Sequence, residues 1–360
     1  MVSVEIYRVR WYEEARLGEV VESIFSSRKG LFSRGDRVLL KPNMLAPTRP
    51  EKAVTTHPLL VKAVAEKLLD LGAKPAVGDS PALSSAEKVG RVSGIRAVAE
   101  ELGLELVELD SPVEVKGQSF FKRLEVSRKL LEFDRVVNLP KFKTHTQMVL
   151  TLAVKNMFGT VPGKLKAEWH VRASEYMDFA RMLYSVYSVK PPVLNIMDGV
   201  VAMEGNGPQN GRPYPLGLVM ASEDGLALDY VASKIVKAED LVYLIKMAKE
   251  EGLLPEISVG GDLQDPPEAE GFALPSTVPL SPSLARRFLR RSLPRPKIIP
   301  EKCTACGICQ EACPTGSILE VGKSPRINYE TCISCFVCQE VCPFDSIEFT
   351  QGILRRIFRL

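Results

Sequence analysis

The residues best suited to chemistry are cysteines. The chain has eight, and they fall into two sets, Cys303, Cys306, Cys309 and Cys313, then Cys332, Cys335, Cys338 and Cys342. Each set reads C-x2-C-x2-C-x3-C-P and closes on Pro314 or Pro343. Thiolates so spaced suit iron–sulfur cubanes: three close ones wrap three irons, and the fourth, released by a turn before proline, is carried across to the other cluster. One [4Fe-4S] cluster is therefore expected on Cys303, Cys306, Cys309 and Cys342, and a second on Cys332, Cys335, Cys338 and Cys313. Structural zinc wants ligands in two pairs and has no use for a trailing Cys-Pro. A disulfide framework suits an exported chain, and Met1-Val-Ser-Val-Glu-Ile6 lacks the basic start and apolar stretch of an export signal. The implied chemistry is single-electron transfer.

A second group of residues lies far upstream, in polar strings. These are Lys41-Pro-Asn43, Thr55-Thr-His57, Gly78-Asp-Ser-Pro81, Asn138-Leu-Pro-Lys-Phe-Lys-Thr-His145, Lys155-Asn-Met-Phe-Gly159, Gly163-Lys-Leu-Lys166, Met197-Asp-Gly199 and Met203-Glu-Gly-Asn-Gly-Pro208. The three histidines of the chain, His57, His145 and His170, fall in or beside them. Converging lysines, threonines and asparagines make a cradle for phosphate or carboxylate, with a helix start after Thr56 adding backbone N–H donors. Lys141, Lys143, His145, Asp198 and Glu204 are the catalytic candidates. Lys41, Asn43, Thr56, His57, Asp79, Lys155 and Asn156 are the candidates for holding a cofactor or an anionic ligand. Asp79, Asp198 and Glu204, with a histidine, could instead hold an additional divalent metal, although their spacing matches no known ligand pattern. The plainer reading of Thr55, Thr56 and Pro58 is helix punctuation, and of the lysines a solvated face.

The elements that must position these strings follow from periodicity. The apolar run from Asp36 to Pro42, the helical pattern from Pro58 to Leu71 and the run from Ala73 to Val77 predict a β-α-β unit. Thr56 or His57 can cap that helix and Gly72 can end it. Further strands are expected over Leu104–Leu109, Arg135–Leu139, Val193–Met197 and Leu216–Ala221, and helices over Tyr176–Tyr187, Leu226–Val236 and Asp240–Glu250. The predicted fold is α/β, a layered, mostly parallel sheet with covering helices, followed by a small α+β two-cluster domain. In such sheets ligands gather where strands end, and the polar strings are read as the loops at those ends. The expected division is an α/β domain over 1–265, a Pro-rich basic linker over 266–297 with a short helix at Ala285–Arg291, the cluster domain over 298–350, and a basic amphipathic tail over 351–360.

Composition and missing motifs narrow the function. A net charge of +3 over 360 residues is too small for general nucleic-acid affinity, and no apolar run is long enough to cross a bilayer. A cytoplasmic location is expected. There is no GxxxxGK[ST] loop, and Gly205-Asn-Gly207 runs into Pro208 instead of opening a helix, so nucleotide use is unsupported. No GxSxG elbow occurs, and no cysteine is left over for a nucleophile or a third cluster.

Residues 298–350 resemble the bacterial-type two-cluster ferredoxins through both cysteine runs. The strings Leu40-Lys-Pro-Asn43, Thr55-Thr-His-Pro58, Gly78-Asp-Ser-Pro81, Lys141-Phe-Lys-Thr-His145, Lys155-Asn-Met-Phe-Gly159, Met203-Glu-Gly-Asn-Gly-Pro208 and Ala227-Leu-Asp229 resemble, in the same order, the prokaryotic domain of unknown function 362, over residues 36 to 240. That resemblance implies an iron–sulfur protein of anaerobic metabolism whose N-terminal domain is built around polar loops.

The sequence supports two main functional readings. In one, a redox enzyme, the clusters relay low-potential electrons to a small anionic substrate in the Lys/His/Asn cradle, Lys141, Lys143 and Lys155 neutralise developing charge, and His145 or His57 supplies a proton. In the other, the α/β domain recognises a protein and the chain is a non-catalytic ferredoxin-type electron carrier. Either needs an electron donor or acceptor protein, a ferredoxin, a flavoprotein or another oxidoreductase. A nucleic-acid or membrane adaptor is a weaker third reading, because the aromatic platforms of single-strand binders are missing.

Overall fold

Short apolar runs become strands whose successive side chains face opposite sides of the sheet. In this chain both sides are covered. Val38 and Leu40 pack with Leu17 and Val61 on one face, while Leu39 between them joins Phe179, Leu183 and Val231 on the other. Val136 and Val137 divide in the same way. A near-continuous apolar strand of this kind marks a sheet buried between two helical layers. Each fully buried aliphatic side chain contributes roughly 1.5–3 kcal/mol relative to exposure.

A computed structural model of the chain describes residues 1–163, 165–277, 295–320 and 325–350. The first body contains β1 (Val2–Arg8), α1 (Glu14–Ser26), β2 (Arg37–Pro42), α2 (Pro58–Asp70), β3 (Lys74–Asp79), α3 (Ala86–Ser93), α4 (Ile95–Glu101) and β4 (Leu106–Glu108). It continues through a hairpin, β5 (Pro112–Lys116) and β6 (Arg123–Ser127), then α5 (Arg128–Leu131), β7 (Arg135–Leu139), β8 (Lys141–His145), β9 (Val149–Thr151), α6 (Ala153–Asn156), α7 (Leu165–Arg172) and α8 (Tyr176–Tyr187). It ends with β10 (Leu194–Glu204), β11 (Arg212–Tyr214), β12 (Leu218–Ser222), α9 (Gly225–Ile235), α10 (Tyr243–Glu250) and β13 (Ile257–Gly261). The sheet has eleven strands, with main order β13-β1-β12-β10-β7-β2-β3-β4. Along that order every pairing is parallel except those of β12, which runs antiparallel to β1 and β10. This is the expected α/β architecture.

The β2-α2-β3 unit forms as its punctuation predicts. His57 is the N-cap of α2, its ring accepting the Leu59 N–H at 3.3 Å, and Pro58 takes the first turn. Thr56, the other capping candidate, accepts the Asn43 N–H and donates to the Leu139 carbonyl.

Two strings read as loops are strands. Lys141–His145 forms β8 beside β10, after Pro140 interrupts the line of β7. Likewise β10 does not stop at Met197 but runs on through Asp198 and Glu204. Charged residues are disfavoured in buried strands unless partners from other elements meet them, and here such partners exist. The first strand and helix, β1 and α1, were not expected; β1 pairs with β12 and with the edge strand β13, and α1 packs on one face of the sheet.

Residues 266–277 stay against this body: Ala269 donates to the Ile235 carbonyl, Phe272 packs edge-on to Phe142, and Thr277 donates to Thr146. The expected basic helix at 285–291 and the basic tail at 351–360 lie outside the described residues.

The C-terminal body is a repeat of itself. Strand β14 (Pro296–Ile298) pairs with β17 (Ile347–Phe349), and β15 (Ile318–Leu319) pairs with β16 (Arg326–Ile327). Helices α11 (Ile308–Glu311) and α12 (Val337–Glu340) occupy matching places in the two cysteine runs. Left-handed backbone recurs in step, at Ala305 and Ser334 (φ 53° and 55°), Gly307 and Phe336 (79° and 62°), and Gly316 and Asp345 (62° and 48°). Such turns free backbone N–H groups to face inward, which anionic sulfur requires.

Candidate functional site

The thiols of the two cysteine runs lie near one another: Cys309 has Cys342, Cys306 and Cys303 as neighbouring thiols, Cys335 has Cys313 and Cys332, and Cys338 has Cys335, Cys332, Cys309 and Cys313. The last cysteine of each run is held alike: Ser317 donates its N–H to Cys313 Sγ at 3.2 Å and Ser346 to Cys342 Sγ at 3.4 Å. Burial, with the neighbouring thiols, pushes Cys309 up to about 11. Thiols so placed ionise together only around strong positive charge, as a metal core provides. Among the described residues no three His, Cys, Asp or Glu side chains converge on a single-ion site.

The second repeat of the C-terminal body is hydrogen-bonded to the α/β body. Gln339, fully buried, donates to the Asn206 carbonyl at 3.2 Å, and Asn210 donates to the Gln339 carbonyl at 3.3 Å. Next to it, Glu340 Oε1 lies 2.9 Å from His145 Nε2, close enough to pair although not aligned as a hydrogen bond. His145 Nδ1 accepts the N–H groups of Gln147 and Met148, so in the neutral ring the proton sits on Nε2 and faces the carboxylate. Burial pushes His145 down to about 4, and Lys155 adds to the effect. For Glu340 burial acts upward, but His145 and Lys155 outweigh it and hold the carboxyl below its ordinary range.

Between the two bodies lies a cavity of about 360 Å³. Lys143, Lys155, Lys166 and His170 line one side, and Cys313, the last cysteine of the first run, lines another. Lys143 donates to Asn43 Oδ1 at 2.9 Å and to the Val54 carbonyl at 2.7 Å. Burial lowers it strongly, and Lys155 adds to this. Lys155 has no hydrogen-bond or ion-pair partner among the described residues and keeps some contact with solvent through the cavity. Lys166 donates to the carbonyls of Ser80 and Val161, and burial pulls it down to about 7. His170 stacks on Phe179 at 4.5 Å, and its buried Nδ1 has no partner.

An amide network fixes these groups. Asn43 donates to Asn156, Asn156 to Asn138, and Asn138 to Asn195, at 2.8–2.9 Å, all buried. Asp229 accepts the N–H groups of Ala153 and Val154, at 2.6 and 3.0 Å, and so anchors α6, which carries Lys155 and Asn156. Gly159 allows Lys41 and Asp79 to meet: a Cβ there would stand 2.1 Å from Asp79 Oδ1 and 2.7 Å from Lys41 Nζ.

The structure thus brings Asn43, Asp79, Lys143, Lys155 and Asn156 around one cavity. Other candidates are engaged elsewhere. Lys41 pairs with Asp79 at 2.9 Å behind the lining. Lys141 pairs with Asp198 at 2.8 Å, both buried, and Tyr12 bonds to each. His57 stacks on Tyr12 at 3.6 Å while its backbone N–H donates to Asp198. Glu204 pairs with Arg212 and accepts the Ala273 N–H. Sequence reasoning did not single out Tyr12, Thr151, Lys166, His170, Asp229 or Glu340 as site residues. Lys166 and Asp229 lay in strings it had marked, while Tyr12 and Glu340 carried no local signal.

These features match known sequences. The family described as Domain of unknown function (DUF362) matches residues 38–234, and a 4Fe-4S dicluster domain matches residues 295–343. A thylakoid-associated protein of Synechocystis sp. is 38% identical over 258 residues, covering 70% of this chain and 80% of that protein. Among solved structures, the lactate racemase apoprotein from Thermoanaerobacterium thermosaccharolyticum aligns with a TM-score of 0.41 at 12% identity, over 66% of this chain and 58% of that one. The marked strings sit within the first match and the paired thiol sets within the second, so this is an iron–sulfur protein, and the chain belongs to the DUF362 family.

Proposed function

We propose that the protein is an oxidoreductase that brings low-potential electrons from two [4Fe-4S] clusters to an anionic ligand in the interdomain cavity. The supporting observation is that one cavity wall carries Cys313 while another carries Lys143 and Lys155. When bound, such clusters supply one-electron chemistry at potentials suited to difficult reductions. The chain's own residues do the rest. Lys143 and Lys155 neutralise charge on the ligand, which is worth most in a site shielded from water. Lys166, at about 7, is the cavity group poised to give up a proton near neutral pH. Asn43 of the buried amide network keeps Lys143 in place without a counterion of its own. Cys306 is exposed, whereas Cys338 and Cys342 are buried, so an electron-donor protein such as a ferredoxin or flavoprotein would meet the first repeat. Among the described residues no helix is long and apolar enough to cross a membrane. We keep the cytoplasm as its location, and surface association like that named for the thylakoid relative would need a partner.

The test is anaerobic reoxidation. Reduced protein, freed of reductant, is mixed with the low-molecular-mass filtrate of a cell extract and the cluster absorbance is followed. Wild type should reoxidise faster with filtrate, and Lys143→Ala should lose that acceleration with its iron content and oxidised spectrum intact. Equal acceleration in the variant, or none in wild type, would sink the enzyme reading and favour a carrier.

A further inference from the structure

The cavity wall says more about its ligand than its charge. Beyond the lysines it is mainly apolar. Met44 and Leu45 come from the segment after β2, Leu83 from the segment after β3, and Ile308, Val337 and Val341 from the C-terminal body. At about 360 Å³ it falls at the small end of pockets that enclose organic ligands, roughly 300–1,000 Å³.

The polar side favours carboxylate over phosphate. Phosphate sites typically combine backbone N–H groups at a helix start with a guanidinium fork or several cations. No arginine lines this cavity among the described residues, and the first N–H groups of α6 are occupied by Asp229. The cations are also partly balanced, since Asp79 and Glu340 share the lining. Lys143 and Lys166 donate to protein acceptors and Lys88 lies exposed at the rim, which leaves within the cavity the ammonium of Lys155, with two buried groups lacking partners, His170 Nδ1 and Thr151 Oγ1.

We infer that the ligand is a small carboxylic acid with an apolar body about the size of one aromatic ring, its carboxylate set against Lys155 and its body against Leu83, Ile308 and Val341. This rests on the functional reading only in placing the ligand in this cavity. The C-terminal body then completes the apolar half of the binding site as well as carrying the cluster ligands.

Binding is measured anaerobically by calorimetry on the cluster-loaded, oxidised full chain, with no electron donor present, so the outcome is independent of reoxidation. The probes are 3-phenylpropionate, its neutral amide and inorganic phosphate. Phenylpropionate should bind, and the amide and phosphate should bind at least tenfold more weakly. Lys155→Met and Lys155→Gln should each lose at least tenfold for the acid and leave the amide unchanged, with iron content and melting temperature as in wild type. Equal binding of the amide would remove the charge recognition, and phosphate as tight as the acid would remove the apolar body. Failure of phenylpropionate to bind at millimolar concentration, or no change in the two variants, would overturn the proposal. Reoxidation by the filtrate would still stand or fall on its own.

Discussion

Glu340, set between Cys338 and Cys342 in sequence, places its carboxylate 2.9 Å from the Nε2 of His145 at the end of β8. One short helix therefore serves both bodies, with thiols on one side and the contact to the α/β body on the other. Glu340→Ala should leave the buried His145 N–H without the carboxylate it faces and take away the negative charge that favours the nearby Lys155 ammonium, a cost of about 1–3 kcal/mol. Scanning calorimetry should show a lower melting temperature and small-angle scattering a larger radius, with Glu340→Gln closer to wild type. An unchanged radius and melting temperature would mean that the contact does not hold the bodies together.

The pair of Lys141 and Asp198 is closed and lies away from the cavity lining. Removing one member of a buried pair strands the other charge, at about 3–5 kcal/mol, whereas replacing both with apolar residues is often tolerated. Asp198→Ala should therefore lower stability sharply, and Lys141→Met combined with Asp198→Leu should restore much of it. Denaturant titration of the three proteins decides this. A stable Asp198→Ala that has lost ligand binding would instead return these residues to the chemistry.

Asp229 supplies a pH signature. Burial raises its carboxyl from 3.8 to about 8, against the two N–H groups it accepts. The folded state then holds a proton that the unfolded chain releases near pH 4, so this contribution is present at low pH and is lost as pH rises towards 8. Its slope is at most about 1.4 kcal/mol per pH unit. Asp229→Asn should flatten stability between pH 5 and 8, measured by anaerobic denaturant unfolding at several pH values. Parallel curves for variant and wild type would show that Asp229 stays ionised at the start of α6.

The crossed ligand sets predict selective damage. Cys342→Ala should disturb the cluster shared with Cys303, Cys306 and Cys309, and Cys313→Ala the other. Electron paramagnetic resonance of the reduced proteins should show one altered signal in each case. The opposite assignment, observed by combining each variant with Cys303→Ala, would reverse the pairing.

Much was legible in the chain because it is local. Ligand spacing is a property of a dozen residues, so the cysteine runs pointed to their chemistry directly. Helix periodicity placed α8 over Tyr176–Tyr187, and capping residues placed α2 within a residue or so. The polar strings were marked, but the division of Lys143 and Lys155 to the cavity and Lys141 to a closed pair was not visible. Alternation in Lys141-Phe-Lys-Thr-His145 fits a strand, yet charge argued for a loop, and only Asp198, Asn43 and Glu340, all distant in sequence, make those side chains tolerable in the interior. The clearest case is the dipeptide Gln-Glu, which follows the third cysteine of both repeats. Gln310 and Glu311 lie in the first repeat, while Gln339 and Glu340 meet Asn206 and His145. The dipeptide and the cysteine spacing are the same in both repeats, so local sequence determined the helix turn in each; that Glu340 would meet His145 was decided by the tertiary structure, since a buried charge is stabilised only by partners the chain brings from elsewhere.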